Sequence, residues 1–76
     1  MTEPTVATYI AWARSRGCVV GVEPMLRGGR PLSAVSIWAP SGKSALEIVI
    51  ELDDPLVSTT IARLDRRLGL KSSLFT

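Results

Sequence analysis

The chain contains no histidine and only one cysteine among its 76 residues. The first absence excludes a histidine general base, a Ser-His-Asp triad and a histidine metal ligand. The second excludes an internal disulfide framework and the usual Cys/His zinc site, and it suits a reducing compartment. Neither a G-x-G-x-x-G nor a P-loop pattern occurs. No apolar run approaches the roughly 18 residues of a membrane span, and the opening Met-Thr-Glu-Pro lacks the basic region of a secretory signal. The expectation is a cytoplasmic protein without metal, cofactor or catalytic residues.

What is present belongs to an ordinary folded domain. Hydrophobic residues make up 46% and charged residues 21%, which separates the chain from disordered sequences. Nine Lys/Arg against seven Asp/Glu leave a net charge of +2, well short of a dedicated nucleic-acid binder. A chain this short buries only about 60% of the surface its unfolded form exposes, so stability of roughly 3–5 kcal/mol is expected.

The periodicity changes along the chain. Val6, Tyr9, Ile10 and Ala13 recur at helical spacing, after a cap at Thr5 or Thr2 and before a stop at Gly17, so a helix is predicted over about 4–16. Trp12 points away from that stripe; it is either a second exposed anchor or packs beneath the C-terminal tail. From Cys18 the period becomes two, giving a strand over about 18–24 that Pro24 ends or places at an edge. Cys18 itself reads as a small core residue. Arg27-Gly28-Gly29-Arg30-Pro31 reads as a loop, about 32–39 as a second strand, and Pro40-Ser41-Gly42-Lys43 as a tight turn. Strand three is predicted over about 44–52, with Leu46, Ile48, Ile50 and Leu52 on one face and Glu47, Val49 and Glu51 on the other.

Asp54 as cap and Pro55 as first residue predict a last helix over about 55–68, with Val57, Ile61, Leu64 and Leu68 as its stripe and Gly69-Leu70 as its close. The tail 71–76 is expected to be loosely held, with Leu74 and Phe75 against the core. The resulting order, α-β-β-β-α in one domain, is an α+β fold: a three-stranded antiparallel sheet with two helices on one face.

This order and size resemble the double-stranded-RNA-binding-domain fold, and more closely its compact variant in HicA-type toxins. The resemblance is carried by the strand ending in Pro40-Ser41-Gly42 and by the final helix finishing Arg66-Arg67-Leu68-Gly69-Leu70. It implies a module that contacts RNA or DNA. HicA-like ribonucleases resemble one another in a Gly-Ser-His element entering the second strand. Here Gly29-Arg30-Pro31-Leu32-Ser33 stands there without histidine, so cleavage is not expected. Double-stranded-RNA binders carry lysines where this chain has Asp53 and Asp54, and carboxylates there would repel a phosphate backbone.

Two surfaces are candidate sites. With Val35 and Ile37 toward the core, Ala34, Ser36 and Trp38 point to the helix-free face, flanked by Val19, Gly21, Glu23, Glu47, Val49 and Glu51. A tryptophan among aliphatics with an acidic rim fits the centre of a protein interface; the alternative inverts this strand and puts Trp38 in the core. Flanking places on an exposed strand explain Glu47 and Glu51 better than a catalytic or metal pair does. The second surface comprises Arg63, Arg66 and Arg67 with Lys71, read either as a contact for phosphate or an acidic protein or as a solvated helix face.

The functional expectation is a small non-enzymatic interaction protein that inhibits or modulates a larger protein or nucleoprotein partner. In economy of design it resembles phage and mobile-element inhibitors such as anti-CRISPR proteins. The alternatives are a non-catalytic RNA- or DNA-binding module with weak affinity, and a homodimer through the open sheet face. No membrane partner is expected.

Overall fold

The alternating stretches pair through two short turns whose chemistry sets the register of the whole sheet. A computed structural model describes residues 4–70. Its elements are α1 (Val6–Ser15), β1 (Val19–Arg27), β2 (Arg30–Trp38), β3 (Ser44–Val49) and α2 (Ser58–Leu68). The strands form one antiparallel sheet in the order β1-β2-β3. Thr2, Lys71 and the tail with Leu74 and Phe75 lie outside the described residues.

Gly28 and Gly29 both take positive φ, 58° and 77°, as the tightest hairpin turn requires at its two central positions. Arg27 and Arg30 flank that turn, and the pairs Val22↔Val35 and Val20↔Ile37 follow by counting. Hydrogen-bonded pairs alternate outward from the turn, which leaves Pro24 opposite Ser33 in a non-bonded pair. Its missing N–H therefore lies on the outer side of β1, an edge strand, where no ladder bond is lost. This is why β1 runs through Pro24 to Arg27 instead of stopping near residue 24.

The second hairpin closes with Ala39 N–H on the Lys43 carbonyl at 2.8 Å, around Pro40-Ser41-Gly42 with Gly42 at φ 93°. A three-residue loop with glycine in the left-handed position is a common hairpin solution. It pairs Ile37 with Ala45, Val35 with Glu47 and Ser33 with Val49. Val35 and Ile37 are both 2% exposed, so Ala45, Glu47 and Val49 share their face. The expected phase of strand three is thus inverted. Glu47 and Val49 look toward the helices, and Leu46 and Ile48 look away from them.

Both helices cover that one face. Val6, Tyr9, Ile10 and Ala13 of α1 meet Ile61, Leu64 and Leu68 of α2 over Val35, Ile37 and Ala45. Between the helices the Tyr9 hydroxyl donates to Asp65 Oδ1 at 2.7 Å, with both residues buried. A buried polar pair of this kind is tolerated because each partner satisfies the other. Burial, and then the Asp65 carboxylate, push the Tyr9 phenol well above its usual range. Trp12 is half-buried, 5.4 Å from the Tyr9 ring centroid and beneath the Arg16 guanidinium.

α2 begins three residues later than Asp54-Pro55 predicted. Leu52 and Asp54 give their carbonyls to Ala7 and Val6 N–H, and Leu56 N–H bonds the Pro4 carbonyl. The segment must stay extended to close the otherwise unpaired N–H groups of α1, and it buries Leu56 on the way. Asp54 caps a turn instead of a helix: its Oδ2 accepts the Glu51 N–H at 3.1 Å. That turn also ends β3 at Val49, short of the predicted residue 52. The far end of α2 matches expectation, with Leu70 N–H returning to the Asp65 carbonyl and Leu70 packed on the core. No helix among the described residues is long and apolar enough to cross a membrane.

Candidate functional site: the helix-free face of the sheet and its β3 border

The uncovered face is built by the residues that alternate with the core. From β2 come Ala34, Ser36 and Trp38, from β1 Val19, Gly21 and Glu23, and from β3 Ser44, Leu46 and Ile48. Trp38 lies directly across from Val19 on one side and Ser44 on the other. A Cβ on Gly21 would stand 3.7 Å from the indole, so the absent side chain leaves the ring a floor on β1. Small residues in the middle of β2 and larger ones around them make a shallow apolar saddle. Val19 is 66% exposed, Leu46 56% and Trp38 48%.

Only part of the predicted acidic rim is there. Glu23 remains on this face. Glu47 lies on the opposite one, where its Oε2 accepts a 2.7 Å bond from Arg63 Nη2. Val49 packs half-buried against the core. Glu51 lies beyond the end of β3, exposed in the Glu51–Asp54 turn. There the carboxylates of Glu51, Asp53 and Asp54 come within 4.8 Å of one another. A hydrogen bond with Asp53, then the charges of Asp53 and Asp54, raise the Glu51 carboxyl above its ordinary range. The turn's backbone bonds account for this crowding.

A groove of about 250 Å³ runs along the β3 side of the open face, lined by Ser36, Trp38, Ser44, Ala45, Leu46 and Arg67. The arginines of α2 are therefore divided in role. Arg63 is tied to Glu47, Arg66 is exposed to solvent, and Arg67 turns to the groove. The structure thus joins two surfaces that sequence reasoning kept apart, Trp38 and Arg67. It also adds Leu46 and Ile48, which that reasoning placed in the core. The signal for them was the Pro40-Ser41-Gly42 turn, because a three-residue loop fixes which residues of β3 share a face with Val35.

Cys18 is buried, and burial pushes its thiol above the usual range, away from the thiolate a nucleophile needs. No family model, curated protein or solved structure matches the chain. The helix-strand-strand-strand-helix order with an antiparallel sheet stands on the structure alone.

Proposed function

We propose that this chain is a non-enzymatic interaction protein that binds a larger protein or nucleoprotein through the helix-free face of its sheet. Occupying that surface would inhibit or modulate the partner, and the small size of the domain, similar to that of phage-type inhibitors, supports this finer form. The observation that carries the reading is the exposure of Trp38, Val19 and Leu46 side by side on one face. Contiguous apolar surface on a small domain marks interaction sites, and tryptophan is enriched where binding energy concentrates.

The test compares Trp38→Ala with Trp12→Ala in pull-downs from the native host and in thermal unfolding. Trp38→Ala is expected to keep its unfolding midpoint and lose the partner. Retained capture by Trp38→Ala would defeat the reading. So would submicromolar, salt-sensitive RNA binding that disappears in an Arg63/Arg66/Arg67→Ala variant, because that outcome moves the site to α2.

A further inference from the structure

The two edges of the sheet are not alike. On β1, the outward row of donors is broken by Pro24 and bordered by Glu23. On β3, the Ala39–Lys43 closing bond makes Ile37–Ala45 and Val35–Glu47 hydrogen-bonded pairs, so the N–H and C=O groups of Ser44, Leu46 and Ile48 point outward. Among the described residues no strand pairs with that row. It carries no proline, and exposed rows of this kind are templates for an added strand.

We propose that the outer edge of β3 receives an extended acidic segment of a partner protein as a fourth strand, with Arg67 holding one of its carboxylates in the groove beside Trp38. The inference rests on the interaction reading above and supplies the partner's chemistry. The argument for an acidic occupant is charge. Arg67 borders the groove and, among the described residues, forms no ion pair, while Arg63 stands along the same strand with one glutamate already on it. The hydroxyls of Ser36 and Ser44 add neutral donors to the same groove. A planar guanidinium with hydroxyls beside it is suited to a carboxylate. Along β3 itself Arg63 and Arg67 stand against a single Glu47, a local excess of positive charge, with the acidic Glu51–Asp54 turn beyond the strand's end. An acidic strand neutralises that excess and lays its alternate side chains along Leu46 and Trp38, so edge and open face would act as one surface.

The experiment titrates the labelled full chain with eight-residue peptides alternating valine with glutamate, in either phase, and with matching lysine peptides. A glutamate peptide is expected to slow amide exchange at Ser44, Leu46 and Ile48, and to bind at least tenfold more weakly to Arg67→Ala. Lysine peptides are expected not to bind. Leu46→Pro removes the central outward N–H together with the side chain, whereas Leu46→Ala removes only the side chain, so both should weaken binding and the first at least tenfold more than the second, the difference reporting the backbone bond. Should Leu46→Pro fail to fold, Arg67→Glu at an exposed position carries the test, with preference switching from glutamate to lysine peptides.

Equal binding of both peptide types, or no binding at millimolar concentration, would overturn the proposal. So would protection of the same three amides that grows with protein concentration alone, which identifies a second copy, or competition by duplex RNA at the same amides. Partner capture that survives Arg67→Ala and Leu46→Pro but fails in Trp38→Ala removes the strand mode and keeps the open-face reading. Loss of neither removes both.

Discussion

The two faces of the sheet are made from the same three strands, yet they have opposite physical character. Toward the helices the strands present Val35, Ile37 and Ala45, almost wholly covered, with Glu47 neutralised by Arg63 at the margin. Away from them they present Trp38, Val19, Leu46 and Ile48 with nothing above among the described residues. On β3 the bulkier apolar side chains are the uncovered ones. Apolar character therefore does not identify the buried face. What separates the faces is the close approach of α2, which fits the small Ala45 beneath it and brings Arg63 within reach of Glu47.

The sharpest way to break this comparison is a pair of truncations, one per face. Ile37→Ala removes a covered side chain and should cost about 2–5 kcal/mol. That is comparable with the roughly 3–5 kcal/mol such a domain has, so urea titration should find the variant largely unfolded. Leu46→Ala should stay within about 0.5 kcal/mol of the parent. Equal costs would mean that the faces are wrongly assigned.

Next in size is the polar link inside the covered layer. Tyr9→Phe leaves buried Asp65 without its donor and should cost about 1–3 kcal/mol, part of it recovered in a Tyr9→Phe/Asp65→Leu double variant. The same link gives a pH dependence. The folded-state Tyr9 phenol titrates above the usual value near 10 of the unfolded chain. The folded chain therefore keeps its proton where the unfolded chain releases it. This contribution is complete below about pH 10 and declines as pH rises further. Unfolding midpoints across that range should fall more steeply for the parent than for Tyr9→Phe.

The two tryptophans give a smaller contrast in stability. Trp12→Ala loses its contact with the Tyr9 ring, and such aromatic pairs contribute about 0.5–1.5 kcal/mol beyond area burial. It should unfold before Trp38→Ala does, whereas Trp38→Ala alone should weaken partner binding, by about 2 kcal/mol or more. Smallest is the marginal ion pair. A double-mutant cycle on Glu47→Gln and Arg63→Gln should return about 0.2–1 kcal/mol, because Arg63 is 52% exposed.

Much of this architecture was legible in sequence. The stripe of Val6, Tyr9, Ile10 and Ala13 defined α1, and Ile61, Leu64 and Leu68 with Gly69-Leu70 defined the body and close of α2. The alternation around Val35 and Ile37 put Trp38 on the uncovered face, as the structure has it. Two misreadings share one cause. Asp54-Pro55 is a sound local signal for a helix start, but the carbonyls of Leu52 and Asp54 are engaged by α1 and hold the chain extended. The alternation of Leu46, Ile48, Ile50 and Leu52 is a sound local signal for a buried face, but the hairpin register overrode it. In both cases a neighbour distant in sequence supplied the deciding bonds.

The sequence by itself determined the order of the elements, the places where the chain reverses, and the fact that each strand has two unlike faces. Backbone conformational preferences and side-chain periodicity act over a few residues and are written locally. Only the tertiary structure decided which face of β3 the helices cover, how far α2 extends toward its N-terminus, and that Arg67 and Trp38 line one groove at the edge of the sheet. Those outcomes depend on register and on the packing of α2 beneath β2 and β3, which sum contacts between residues far apart in the chain.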